Sequence, residues 1–260
     1  QKVGSVPSGQ EDIGIRCVLY DSTSHLIEGR TSIVYAGVWN VGVYQSKDGG
    51  ESFQLIEGSP VQPRRMAITT SGQLVLTHEK GVAIYDGKSW KDITPNDVKG
   101  EPFCGVSTDA SGSGKLIVSM DQTRRNGKYF VDNLPIYRTR DNGGTWEKVT
   151  KSPDWTTAPG WFKNHGFFQD AMSSLQMDPH HPGRVYSTDW FSIWYTNDIW
   201  AENTTWLNIP HGHEETYIFQ LASPPAGDAR LFVCSPDVSG FRVTDPGQYP
   251  ENSFSRSYNE

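Results

Sequence analysis

One eight-residue pattern, present twice, limits what this chain can fold into. Thr139-Arg140-Asp141-Asn142-Gly143-Gly144-Thr145-Trp146 reads as Ser/Thr-x-Asp-x-Gly-x-Thr-Trp, an Asp-box. Ser46-Lys47-Asp48-Gly49-Gly50-Glu51-Ser52-Phe53 repeats it with Phe in the last place. Apolar runs bracket both copies. The Asp141 carboxylate can fold back onto backbone N–H groups of a tight turn. Gly143 and Gly144 are expected to supply the positive φ angles such a turn needs, and Gly50 stands at the place of Gly143 in the other copy. Trp146 is expected to open the next strand and bury its ring beside the turn. A pattern repeated in a strand–turn–strand setting predicts a repeated β-hairpin unit. Ser46, Asp48, Thr139 and Asp141 are therefore expected to be structural, because turn chemistry alone accounts for them.

Short apolar or alternating runs recur along the chain, split by Gly, Pro, Asn and Asp, and they fall into groups of four. The groups are 13–19, 32–38, 41–45 and 53–56; then 65–69, 74–77, 82–85 and 90–93; then 105–108, 116–120, 136–139 and 146–149; then 174–177, 184–188, 193–196 and 206–209. A fifth group, 217–222, 231–234 and 240–243, lacks a clear fourth strand. Each fourth strand is expected to open with an aromatic residue: Phe53, Trp90, Trp146 or Trp206. Four-stranded units at this period predict an all-β β-propeller with antiparallel blades. About five blades' worth is present, at approximately 12–58, 61–96, 102–151, 169–210 and 214–247, with a polar tail at 248–260. Residues 2–6 read as a stray outer strand of a preceding blade; either the two ends complement each other and close a ring or blades are missing at both ends, and part of a larger propeller is the expectation.

Strand order sorts the loops by face. In an antiparallel blade with strands a to d counted from the axis, a–b and c–d turns share one face. The b–c turns and the connections between blades share the other. That second face is expected to collect Trp39, His78, Glu79, the 121–133 loop, Asp189, Trp190 and Asp237 from b–c turns. Connections add Trp155, Trp161, His165, His211, His213, Glu214 and Glu215. Long loops on a rigid scaffold are the usual place for binding and catalysis.

Composition narrows the function classes. The chain has 260 residues and a formal net charge of −7. An acidic balance with no basic cluster argues against nucleic acid and against an anionic membrane surface. No apolar run is long enough to span a bilayer. The three cysteines, Cys17, Cys104 and Cys234, are widely spaced and are expected to be buried free thiols. His211-Gly212-His213 followed by Glu214 has the look of a metal cluster, yet a third ligand and supporting groups would be needed. Loop histidines with polar partners are the expectation, and no cofactor or metal is implied. Trp39, Trp155, Trp161 and Trp190 are candidates for stacking on sugar rings, with loop packing as the alternative.

Ser235-Pro236-Asp237-Val238-Ser239-Gly240-Phe241-Arg242 holds the sharpest catalytic candidate. Asp237 follows an apolar b strand near the axis, where a partly desolvated carboxylate can act as a general acid or base. A turn-capping role is the alternative. The run His213-Glu214-Glu215-Thr216, then Leu221-Ala222-Ser223-Pro224-Pro225-Ala226-Gly227, then 235–242, resembles a diagnostic stretch of glycoside hydrolase family 74. Those enzymes are xyloglucanases and related oligoxyloglucan hydrolases. Val34-Tyr35-Ala36-Gly37, Ser89-Trp90-Lys91-Asp92-Ile93-Thr94-Pro95 and Leu175-Gln176-Met177-Asp178-Pro179 are similar to other stretches of the same family, in the same order.

The resemblance implies two seven-bladed propellers clasping a glucan, and inverting hydrolysis by two aspartates. One of them maps onto Asp237, as the expected general acid. The other lies in a blade outside this chain. Inversion needs the two carboxyls roughly 6.5–9.5 Å apart, with a water between them. The resemblance also implies that Glu214 or Glu215 props the site, and a polysaccharide substrate points to a secreted protein. The chain departs from the pattern at Pro236, at His213 and in the 121–133 loop, where Arg124, Arg125 and Lys128 could meet a uronic-acid sugar, with a solvated surface loop as the alternative. Two other readings stay open. One is a polysaccharide lyase, with His165 or His213 as base and Arg124 as the neutralising cation. The other is a non-catalytic propeller that binds a glycan or a protein.

Overall fold

The computed structural model describes residues 5–6, 14–112, 114–121, 123–125, 128–130, 133–212 and 217–254, with backbone alone at 123–125 and 128–130. The stray strand expected at 2–6 falls mostly outside them. The architecture is nearly all β. Three antiparallel sheets of four strands follow one another along the chain. The first runs Ile15–Tyr20, Val34–Val38, Gly42–Ser46, Gln54–Leu55. The second runs Pro63–Ile68, Leu74–His78, Gly81–Tyr85, Trp90–Asp92. The third runs Phe103–Thr108, Leu116–Met120, Ile136–Thr139, Glu147–Lys148. The fourth orders Ser174–Met177, Val185–Thr188, Ile193–Thr196 and Asn203–Asn208, and adds Thr150–Asp154 in parallel on its outer edge. The fifth pairs Gln220–Ala222, Leu231–Cys234 and Phe241–Val243, and Ser253 bridges the outer side of Phe241.

Successive sheets pack face to face because their second strands are apolar on both sides. A strand alternates its side chains between faces. Leu74 and Leu76 therefore join Tyr35, Val43 and Ile56 of the first sheet, while Val75 joins Phe103, Leu116 and Val118 of the third. Leu116, Val118 and Met120 face the second sheet, and Ile117 faces the fourth with Leu175, Val185 and Trp194. The first strands of the first four sheets contact one another in sequence, which puts them around a common axis. This is the blade arrangement of a propeller. At its two ends, apolar side chains of inner strands stand in solvent: Ile15, Val18 and Tyr20 at one, Phe219 and Leu221 at the other.

Three details correct the sequence reading. Among the fourth strands, Trp90 opens its own as expected, but the other three differ: Phe53 and Trp146 precede theirs, and Trp206 lies fully buried three residues into its own. A six-residue helix, Gly160–His165, stands in the connection before the fourth sheet, closed by Gly166 at φ +71°. All three cysteines are free, but only Cys104 is buried; Cys17 is half-buried and Cys234 exposed. Among the described residues, no helix is long and apolar enough to cross a membrane.

Candidate functional site

The two Asp-box copies form the same turn. Asp48 Oδ1 accepts from Ser46 Oγ at 2.7 Å and from Ser52 N at 2.9 Å, and Ser52 Oγ donates to Oδ2 at 2.5 Å. Asp141 Oδ1 accepts from Thr139 Oγ1 at 2.6 Å and from Thr145 N at 2.8 Å, and Thr145 Oγ1 donates to Oδ2 at 2.8 Å. Ser46 and Thr139 in turn accept from Gly50 N and Gly143 N. These donors hold both carboxyls below the ordinary range, Asp141 at about 2. Positive φ falls on Gly49 and Gly50 in one copy and on Asn142 and Gly143 in the other, and Gly144 is not among the residues with positive φ. The place of Gly144 is held by Glu51 in the first copy, so the turn does not require glycine there. Trp146 ties its sheet to the second by donating from Nε1 to Ile93 O at 2.6 Å. With every oxygen of Asp48 and Asp141 engaged by the turn, packing and hydrogen bonding explain these residues.

The opposite face holds an axial cavity of about 410 Å³. It is walled by the starts of first strands and the ends of second strands from the first four sheets: Arg16, Arg64, Arg65, Asp121, Asp189 and Trp190. Asp121 and Asp189 each directly follow the second strand of their sheet, so the repeat itself places them alike. Arg64 bridges the carboxylates of Asp121 and Glu79. Arg65 donates from Nε to Ser173 O at 2.9 Å. The buried Trp39 ring lies under two guanidiniums, with Arg16 Cζ at 5.2 Å and Arg64 Cζ at 5.8 Å from its centroid. Asp189 is half-buried, and loss of solvent raises its carboxyl above the ordinary value. Four donors satisfy it: Phe191 N and Ser192 N on Oδ1, Gln169 N and the Trp194 Nε1 at 2.6 Å on Oδ2.

Asp237 lies on the same face but does not line this cavity. It is half-buried in the turn between Leu231–Cys234 and Phe241–Val243, with Val238 next to it fully buried. Ser239 at φ +63° and Gly240 at φ +113° bring the chain back so closely that a Cβ on Gly240 would strike Val233 O. Unlike Asp48, Asp141 and Asp189, the Asp237 carboxylate has no hydrogen-bond or ion-pair partner among the described residues.

The sugar-stacking candidates divide. Trp190 is 57% exposed and opens onto the axial cavity. Trp39 and Trp161 are buried, at 8% and 4%. Trp39 is covered by guanidiniums, and Trp161 packs edge-on against Phe162 and Phe241, so neither offers a free ring face. Trp155 is half-buried, edge-on to Trp194 at 5.3 Å. His165 stacks on Phe167 and its Nε2 meets Ser253 Oγ at 2.5 Å. His211 Nδ1 meets the Tyr249 hydroxyl at 2.9 Å, a loop histidine with a polar partner. His213, Glu214, Glu215 and the Arg124 side chain lie outside the described residues; the Arg124 backbone belongs to a small hairpin of Thr123–Arg125 with Lys128–Phe130. The sequence reading missed Arg16, Arg64 and Arg65. Their signal was positional: each stands at the start of a first strand, on the loop face.

No family model matches the chain. Individual relatives do. The chain is 25% identical over 303 residues to a xyloglucanase of Paenibacillus sp., covering 95% of this chain and 28% of that one. It is 25% identical over 313 residues to an oligoxyloglucan-reducing end-specific xyloglucanase of Emericella nidulans, covering 90% and 38%. Among solved structures, it matches a glycoside hydrolase family 74 enzyme of Niastella koreensis at TM-score 0.74 and 24% identity, over 93% of this chain and 37% of that one. It matches the family 74 xyloglucanase of Xanthomonas campestris at TM-score 0.77 and 23% identity, over 95% and 37%. The chain thus spans between 28% and 38% of the length of these curated relatives and forms a partial propeller. In sequence along most of its length, and in fold, what this chain resembles is glycoside hydrolase family 74.

Proposed function

We propose that this chain is the part of a secreted glycoside hydrolase that carries one carboxylate of the catalytic pair, Asp237, and that the enzyme cleaves a xyloglucan-like β-glucan with inversion. The observation that carries the reading is the state of Asp237. A turn-capping aspartate spends its oxygens on backbone N–H groups, as Asp48 and Asp141 do. Asp237 is held half-buried by a tight Gly240 turn with its oxygens uncommitted among the described residues, as a group that must exchange a proton with substrate needs to be. Its position within the stretch that resembles family 74, and the xyloglucanase names of the relatives, support the reaction class. The second carboxylate, and the blades that would cover the exposed apolar strands at either end, belong on this reading to a further segment or chain.

The test is a panel of xyloglucan, other β-glucans, arabinogalactan and pectic chains, digested by the complete protein. Xyloglucan is expected to release reducing ends without the ultraviolet absorbance of unsaturated uronates. Absorbance from a pectic chain, or no release from any substrate, would reject the proposal.

A further inference from the structure

The axial cavity is distinct from the Asp237 turn, and its chemistry differs. Three guanidiniums and two carboxylates line it, in a chain of formal net charge −7. Those charges are not all equivalent. Arg64 is committed to Asp121, and to Glu79 behind it. Asp189 is committed to four N–H donors of its own sheet and its flanking turn. That leaves Arg16 and Arg65, neither of which has an ion-pair partner among the described residues. Each is held in place by one contact. Arg65 is held by its Nε on Ser173 O, and Arg16 by the face of Trp39. A guanidinium held at Nε, as in Arg65, or by its face, as in Arg16, still presents in-plane N–H groups in a planar fork, the geometry that receives a carboxylate. The exposed ring of Trp190 stands on the same wall, and an aromatic face is what a sugar ring packs on. A volume of about 410 Å³ falls in the range of small-ligand clefts.

We propose that the axial cavity is a subsite for a carboxylate-bearing sugar, a uronate, with Trp190 against the ring and Arg16 and Arg65 on the carboxylate. This deepens the reading of a glycan hydrolase, on which it rests for the assumption that a glycan reaches this face. It makes the substrate class acidic or acid-decorated, where a neutral glucan would leave two cations of the wall without a counter-charge. Neither group is used by the chemistry assigned to Asp237.

The test uses the complete protein and a matched pair of probes, a β-gluco-oligosaccharide and the same oligosaccharide oxidised to the carboxylate at C6. Binding is followed by calorimetry at low salt. The carboxylated probe is expected to bind about tenfold tighter or more, as charge-assisted hydrogen bonds imply. That preference is expected to fall with added salt and to vanish in the double variant Arg16→Gln, Arg65→Gln. Trp190→Ala is expected to weaken both probes together and leave their ratio intact. Equal affinities, or a preference that survives the arginine changes in a variant that still melts cooperatively, would overturn the proposal. So would displacement of the carboxylated probe by inorganic sulfate as effectively as by glucuronate, which would mark a site for anions alone. Hydrolysis of neutral xyloglucan is read separately. Activity there with no preference between the probes would sink the subsite alone, whereas preference without hydrolysis of any glycan would sink the hydrolase reading alone.

Discussion

The Nζ of Lys151 lies 2.6 Å from Leu134 O and 2.7 Å from Gln169 Oε1, with the Phe168 ring centroid 5.3 Å away. Burial first, and the Lys148 charge second, bring its ammonium down to about 7, against the pull of Asp170. The unfolded chain holds that proton up to about 10.5, so between these values the unfolded state binds more protons than the folded one. Stability from this residue therefore rises with pH across that window and is lost as pH falls towards 7. Two acceptors match the two N–H groups of the neutral amine, so deprotonation leaves both hydrogen bonds in place. Urea midpoints of the complete protein are expected to climb between pH 7 and pH 10, and Lys151→Met to flatten that part of the climb. An equal slope in the variant would show that Lys151 titrates as an ordinary surface lysine. Asp48, Asp141, Asp189 and Asp237 separate in the same way, by what surrounds them. Asp48 and Asp141 are fixed by their turns and Asp189 by four donors, and of these Asp237 alone has no hydrogen-bond or ion-pair partner among the described residues.

At the scale of the element, the Asp-box turn is a self-contained device. Replacing Asp141 with Asn keeps its shape and removes the charge that Thr145 N and the two threonine hydroxyls favour. The loss expected at neutral pH is about 1 kcal/mol or less, since water screens this exposed turn. The Asp141 carboxyl is depressed from 3.8 to about 2, so its contribution is present above 3.8 and lost as pH falls through about 2. The urea midpoints of Asp141→Asn and the parent are thus expected to converge in acid, with turnover alike at neutral pH; a gap independent of pH would refute the charge argument. Such turns were legible in the sequence because their hydrogen bonds close within five residues. The strands were legible because period two and turn residues are local signals. The strand Thr150–Asp154 was not: it contains Pro153 and pairs in parallel with a segment some 50 residues on, which only an edge position allows. The helix Gly160–His165 is too short to show a period, and its marks were Pro159 before it and Gly166 after it. The Arg16–Trp39–Arg64 stack and the Arg65–Ser173 bond bring together residues from separate sheets, and no spacing in one chain announces that.

At the scale of the whole molecule, the b–c face carries two features that the repeat places side by side in kind but not in role. In the axial cavity Arg64 pairs with Asp121 and Asp189 is met by N–H donors, which leaves a cationic remainder in Arg16 and Arg65. The Asp237 turn is built to leave a carboxylate open. The resemblance to family 74 was legible from the motifs at 213–242, and it extends to the fold, while the arginine-lined cavity came from the packing of the sheets. The measurement that bears most directly on this account is kcat for xyloglucan of the complete protein carrying Asp237→Asn, set against the parent, with both shown to melt alike. Removing a general acid or base is expected to lower kcat by about 10²–10⁴-fold with KM little changed. A variant within a few-fold of the parent would show that Asp237 is not a catalytic residue and that the chemistry lies elsewhere on this face.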